Sequence, residues 1–99
     1  EVGQGDIENV YRLQIMNGLE QAQRYSVSVS GLAGLRISSD AQLAVQSVAI
    51  ASLPVRLTLP PEAAAAYRGK TLPIVFEVQT TTDGRSEVRH EKSTFYVLP

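Results

Sequence analysis

The chain has 99 residues, 43% of them hydrophobic, with nine basic and ten acidic side chains and a formal charge of −1. Such a length and composition describe one domain with enough apolar surface for a single core, and the scattered charge excludes the basic stripe that a phosphate backbone requires. The sequence has no cysteine, which excludes a disulfide framework, an iron–sulfur cluster and a thiolate metal site within these residues.

The opening EVGQGD is polar and glycine-containing, with neither an initiator Met nor a signal-peptide pattern. Residues 1–5 are expected to be a disordered or linker lead-in and residues 6–99 one domain, the whole being a piece of a longer or processed protein. No run of about 18 apolar residues occurs, so no membrane-spanning helix is expected.

Strand-type alternation dominates from Ile7 onward. In IENVYRLQIMN the positions Ile7, Tyr11, Leu13 and Ile15 are apolar, while Glu8, Arg12 and Gln14 between them are polar. That is the pattern of a half-buried strand. Asn17 ends it as a turn residue, since its carboxamide reaches main chain two residues on and the residue tolerates left-handed geometry. LEQAQ is a poor returning strand, so a loop longer than a tight hairpin is expected.

RYSVSVS resumes the alternation, with Tyr25, Val27 and Val29 on one face and serines on the other. Gly31 and Gly34 mark a turn. LRIS reads as a short strand, QLAVQSVAIAS as one or two more, and LPVRLTL as another through Val55, Leu57 and Leu59. Pro54 has no amide donor and belongs at that strand's start or on an edge. PPEAAAAYRGK is the one helical interruption, Pro61 to Arg68, with Pro61 at the first helical position and Gly69 as the stop.

LPIVFEVQT follows, with Ile74, Phe76 and Val78 on one face, then an Asp83–Gly84 hairpin turn and a last strand in SEVRHEKSTFYVLP. About six to eight short strands with regular turn signals predict an all-β, immunoglobulin-like antiparallel sandwich of about seven strands with one short helix. The expected core is Tyr11, Leu13, Ile15, Val27, Val29, Leu57, Phe76, Val78 and Phe95.

The last strand contains a conflict. Val88 and His90 claim one face for the core, whereas Phe95 and Val97 claim the other, which would turn Glu91 and Ser93 inward. A strict period of two cannot satisfy both, so a β-bulge within Arg89 to Thr94 is expected. Without one, either Val88 is exposed or Glu91 turns inward with a hydrogen-bonding partner.

Tests for chemistry return bland readings. RGKT at Arg68 to Thr71 has Ala64 where a phosphate-binding loop needs glycine, and a helix precedes it, so it is a turn. His90, the sole histidine, reads as a solvated strand residue, and Met16, the sole methionine, as packing. The serines of SVSVS sit in no nucleophile elbow. Tyr25 and Tyr67 read as buried rings with tethered hydroxyls. No catalytic, cofactor-binding or metal-ligating residue emerges, and the chain reads as non-enzymatic.

IENVYRLQIMN, RYSVSVSGLAGL and HEKSTFYVLP together resemble the C-terminal domain of the FixG (also called CcoG or RdxA) family, over about Asp6 to Pro99. The most specific pieces are Ile7-Glu8-Asn9-Val10-Tyr11 with Asn17, Gly31-Leu32-x-Gly34-Leu35, and Glu91-x-Ser93-Thr94-Phe95. The middle, Ala41 to Thr82, matches by pattern alone.

The resemblance implies an immunoglobulin-like module beyond the last helix of a bacterial inner-membrane protein with ferredoxin-type iron–sulfur clusters, on the periplasmic side. That protein's family is linked to assembly of the cbb-type cytochrome oxidase, with a copper-reducing role proposed. The cluster-binding cysteines lie outside these residues, so no redox role attaches to any position here. The expected function is a non-catalytic accessory domain that docks protein, either the rest of its own membrane protein or oxidase assembly factors, with no nucleic acid and no direct membrane insertion. Glu91, Ser93 and Thr94 are the candidate contact residues. The alternatives are a domain presenting copper to the redox module, or a purely structural cap.

Overall fold

A computed structural model describes residues 5–82 and 84–99. The lead-in expected over residues 1–5 therefore lies almost wholly outside the described residues, as does Asp83 of the expected turn. The elements run β1 (Ile7–Asn17), β2 (Gln23–Ser30), β3 (Arg36–Ile37), β4 (Gln42–Val45), β5 (Ala49–Leu59), α1 (Pro61–Ala64), β6 (Thr71–Thr82) and β7 (Arg85–Tyr96). They form two antiparallel sheets, β1-β5-β3 and β4-β2-β6-β7. Among the described residues this is an immunoglobulin-like sandwich of seven strands.

The core lies where the inward faces meet. Ile15, Val27, Leu57, Phe76 and Phe95 are buried, with Tyr11, Leu13, Val29 and Val78 packed against them. All nine expected core positions thus face the interior, because period-two alternation assigns a face without knowing the partner sheet. Ala64 of α1 is fully buried too. Pro61 opens α1 and a 3₁₀ turn over Ala65–Tyr67 closes it before Gly69 at φ +76°. A helix this short holds by docking on the sheets.

Two expectations about β5 change. AIAS does not end at Ser52 but continues through Leu53 and Pro54 into VRLTL as one strand, so Pro54 is not at a strand start, and its strand is the central one of its sheet. Its missing donor is nevertheless harmless. Arg56 turns both main-chain groups toward the β3 side, donating to Ser39 Oγ (2.9 Å) and accepting from Ser38 N (2.9 Å). Pro54, two residues back, faces the same side, beyond the two-residue span of β3. The position is locally an edge.

The expected bulge is absent. β6 and β7 pair without interruption from Thr71 with Tyr96 to Thr82 with Arg85. The conflict dissolves because β7 is the outermost strand of its sheet and is parted from β1 along this stretch. Every residue from Arg85 to Lys92 is exposed, so Val88 (43% exposed) needs no core face and Glu91 opens to solvent on the same side as Phe95. At the tip Thr82 pairs with Arg85 and Gly84 adopts φ +77°, as a two-residue hairpin turn requires. The domain is accordingly long, 46 × 20 × 17 Å.

Candidate functional site

β1 and β7 are the facing edges of the two sheets, and their seam is closed at one end and open at the other. At the closed end the Asn9 side chain imitates a neighbouring strand. Its Nδ2 donates to the Tyr96 carbonyl (3.0 Å) and its Oδ1 accepts from the Tyr96 amide (2.9 Å). Tyr11 Oη donates to the Thr94 carbonyl at 2.6 Å, and its ring meets Phe76 edge-on at 5.1 Å. Burial pushes the Tyr11 hydroxyl pKa up to about 12, because a phenolate there would lose solvent. Among the described residues the hydroxyl that is tethered belongs to Tyr11, and not to Tyr25 or the half-buried Tyr67 as expected.

Toward Asn17 the strands part and leave a cleft of about 310 Å³. Ile15, Tyr25 and Val78 supply apolar wall, and Glu87, Arg89 and Glu91 line it from β7. Asn17 is fully buried behind this end. Its Nδ2 lies within bonding distance of the carbonyls of Gln21 (2.8 Å), Val45 (3.1 Å) and Gln46 (3.1 Å), while its Oδ1 accepts from Leu19 N (3.0 Å). The bond two residues on is the expected one, but Asn17 does not adopt positive φ. Val48 does, at +47°, and it is 72% exposed.

That combination marks a surface the sequence reading did not find. A β-branched residue at positive φ is strained, by roughly 1–3 kcal/mol. Val48 is held there by the hydrogen bond that its N–H donates to the Leu19 carbonyl (3.0 Å). Beside it Met16 (57% exposed) pairs across the sheet with Ile50 (61%), and Leu19 is 42% exposed. Met16 and Leu19 also border the cleft. Met16 is thus an exposed residue and not core packing, a role legible in its place among the polar even positions of β1.

A scan against protein families matches residues 1–98 to FixG_C, described as "IG-like fold at C-terminal of FixG, putative oxidoreductase". The chain belongs to the FixG C-terminal domain family. Among solved structures the FixG domain is similar to a FixG-related protein from Vibrio parahaemolyticus, with TM-score 0.77 and 22% identity over 94% of this chain and 81% of that one. It is also similar to a protein from Archaeoglobus fulgidus, with TM-score 0.56 and 15% identity over 98% of this chain and 90% of that one. At these identities the likeness establishes the fold. No curated protein sequence matches the chain.

The residues on which the resemblance to the family was read are joints of the fold. Ile7 and Phe95 are buried, Asn9 and Tyr11 close the seam, and Asn17 ties two loops together. Gly31 has φ +116°, and a Cβ there would meet the Pro73 carbonyl at 2.9 Å, so only glycine fits. Of the candidate contact residues, Glu91 lines the cleft, Ser93 is half-buried opposite Ile74, and Thr94 lends its carbonyl to Tyr11. The three do not converge on one site. Alternation puts Thr94 on the opposite face from Glu91 and Ser93.

Iron–sulfur clusters need thiolates, and this FixG domain contains no cysteine, so its residues do not fit them. Among the described residues no group of three or more His, Cys, Asp or Glu side chains is arranged to hold a metal ion. His90 is 63% exposed, with Nε2 3.7 Å from the Glu77 carboxylate. No helix among the described residues is long and apolar enough to cross a membrane.

Proposed function

We propose that this domain is a non-catalytic accessory module that docks protein through its open end. The partner is the remainder of its own iron–sulfur membrane protein, or a factor in assembly of the cbb-type cytochrome oxidase, on the periplasmic side of the bacterial inner membrane. The observation that carries the reading is Val48, which is apolar, exposed and backbone-strained at once. Folding gains nothing from an exposed valine in that conformation, whereas burial of Val48, Met16 and Ile50 against a partner gains roughly 1.5–3 kcal/mol for each side chain fully covered. Family membership supports the oxidoreductase context.

The test separates docking from stability. Val48→Asn tolerates the left-handed backbone and removes the apolar group. In the full-length parent protein, the variant domain is expected to stay folded while co-purification with oxidase assembly factors, or the domain's protection by the rest of the protein against protease, falls at least several-fold. Unchanged association and protection would reject the patch as the docking surface.

A further inference from the structure

We infer that the free edge of β7 from Arg85 to Glu91 pairs with the same edge of a second copy of this chain, joining two four-stranded sheets into one antiparallel sheet about a two-fold axis at Val88.

The edge is exposed and has the hydrogen-bonding direction this requires. Val97 N donates to the Lys70 carbonyl and its own carbonyl accepts from Gly69 N, so odd residues of β7 turn their main-chain groups toward β6 and its approach. Thr94 and Tyr96 turn theirs the other way, to Tyr11 and Asn9. Main-chain direction alternates along a strand, so Ser86, Val88, His90 and Lys92 present theirs on the side away from β6. Among the described residues no strand pairs there, β7 being outermost in its sheet. The side-chain clamps of β1 stop at Thr94, and among the described residues no hydrogen bond caps the main chain of the even residues beyond it.

The sequence of the edge chooses its occupant. Pairing must place even residues opposite even ones, because only these carry the free groups. With Val88 opposite Val88 of the second copy, Arg85 faces Glu91, Glu87 faces Arg89, and Ser86 faces His90, each pair occurring twice by symmetry. A shift of one residue of either strand breaks the hydrogen-bond parity. Centring the axis on Glu87 sets Glu87 against itself and Arg85 against Arg89, and centring it on Arg89 sets Arg89 against itself and Glu87 against Glu91. Opposite charges across a pair are favourable and like charges unfavourable. Charges protect solitary edges from association, but protection alone has no need of alternating sign. An edge this short lies below the roughly 1,200 Å² of a standard interface, so the dimer is weak and concentration-dependent.

Sedimentation equilibrium of this 99-residue chain, up to about millimolar concentration and at low salt, should show a monomer–dimer equilibrium. Glu87→Arg sets two cations opposite in both symmetry-related pairs and should weaken the dimer roughly ten-fold or more. Combining Glu87→Arg with Arg89→Glu restores both pairs and should restore association. Val88→Pro removes a donor that faces solvent in the monomer, so the fold should keep its melting temperature while dimerisation is lost. Because the chain has no cysteine, Val88→Cys should cross-link on oxidation, whereas Lys92→Cys, opposite Gly84, should not. A chain monomeric throughout this range overturns the proposal. So does a dimer insensitive to Val88→Pro, which would place association on another face such as the Met16–Ile50 patch.

Discussion

The two ends of the β1–β7 seam are built from the same two strands, yet they have opposite fates. At the Tyr96 end, two side chains take the place of a missing strand and satisfy the edge of β7. At the Val88 end, no side chain among the described residues does this, and the strands part over a cleft beside an exposed apolar patch. The difference is one of capping, not of strand propensity. Unpaired main-chain groups are an association surface wherever nothing covers them, and here β1 covers only half of the seam.

The comparison is broken most severely from beneath. Phe76 is fully buried and supports Tyr11 at the closed end. Phe76→Ala is expected to cost about 4 kcal/mol in denaturant unfolding, and a loss under about 1 kcal/mol would mean that this ring does not anchor the core. Asn17→Ala attacks the open end instead. It strips the side-chain donor from three carbonyls tied to two loops, and about 3 kcal/mol should be lost, with hydrogen exchange rising around Leu19 and Val48 before the rest of the domain.

Asn9→Ala makes the closed end resemble the open one. Its two bonds to Tyr96 stabilise the seam by about 1–2 kcal/mol, and the Tyr96 amide should exchange faster while the distal hairpin is unchanged. Alkaline titration sharpens the same contrast. The Tyr11 pKa is raised to about 12 from 10.0 by burial, so the folded state holds the proton where the unfolded state has lost it. The associated stability is fully present below pH 10 and declines as pH rises through 12. Tyr11 is only half-buried, so solvent screening leaves roughly 1 kcal/mol. Tyr11→Phe should remove most of that slope. The smallest effect belongs to the open end: Glu91→Ala should change stability by no more than about 0.5 kcal/mol, because the residue is exposed.

The sequence by itself determined the fold class, the inward faces and the turns. Alternation through Ile7–Ile15, Tyr25–Val29 and Ile74–Val78 names buried positions without any knowledge of which strand lies opposite, since the period of a strand is a property of its own backbone. It also yielded the bond from Asn17 to the main chain two residues on, because that contact is local. What it misjudged was set by distance through space. Both sets of alternating residues in β7 seemed to claim a core, and only the place of β7 as the outermost strand, parted from β1 by the cleft, decides that Arg85 to Lys92 stay exposed.

Pro54 sits safely inside β5 because β3 is too short to reach it, and no local pattern records the length of a neighbour. Met16, Leu19, Val48 and Ile50 come from two loops and two strands, so their meeting at one end is invisible in a linear reading. Glu91, Ser93 and Thr94 are neighbours in sequence that the pleat and the edge of the sandwich divide. Tertiary structure decided where the core ends, because burial depends on what packs from another part of the chain. Every exposed surface with a claim to function begins at that limit.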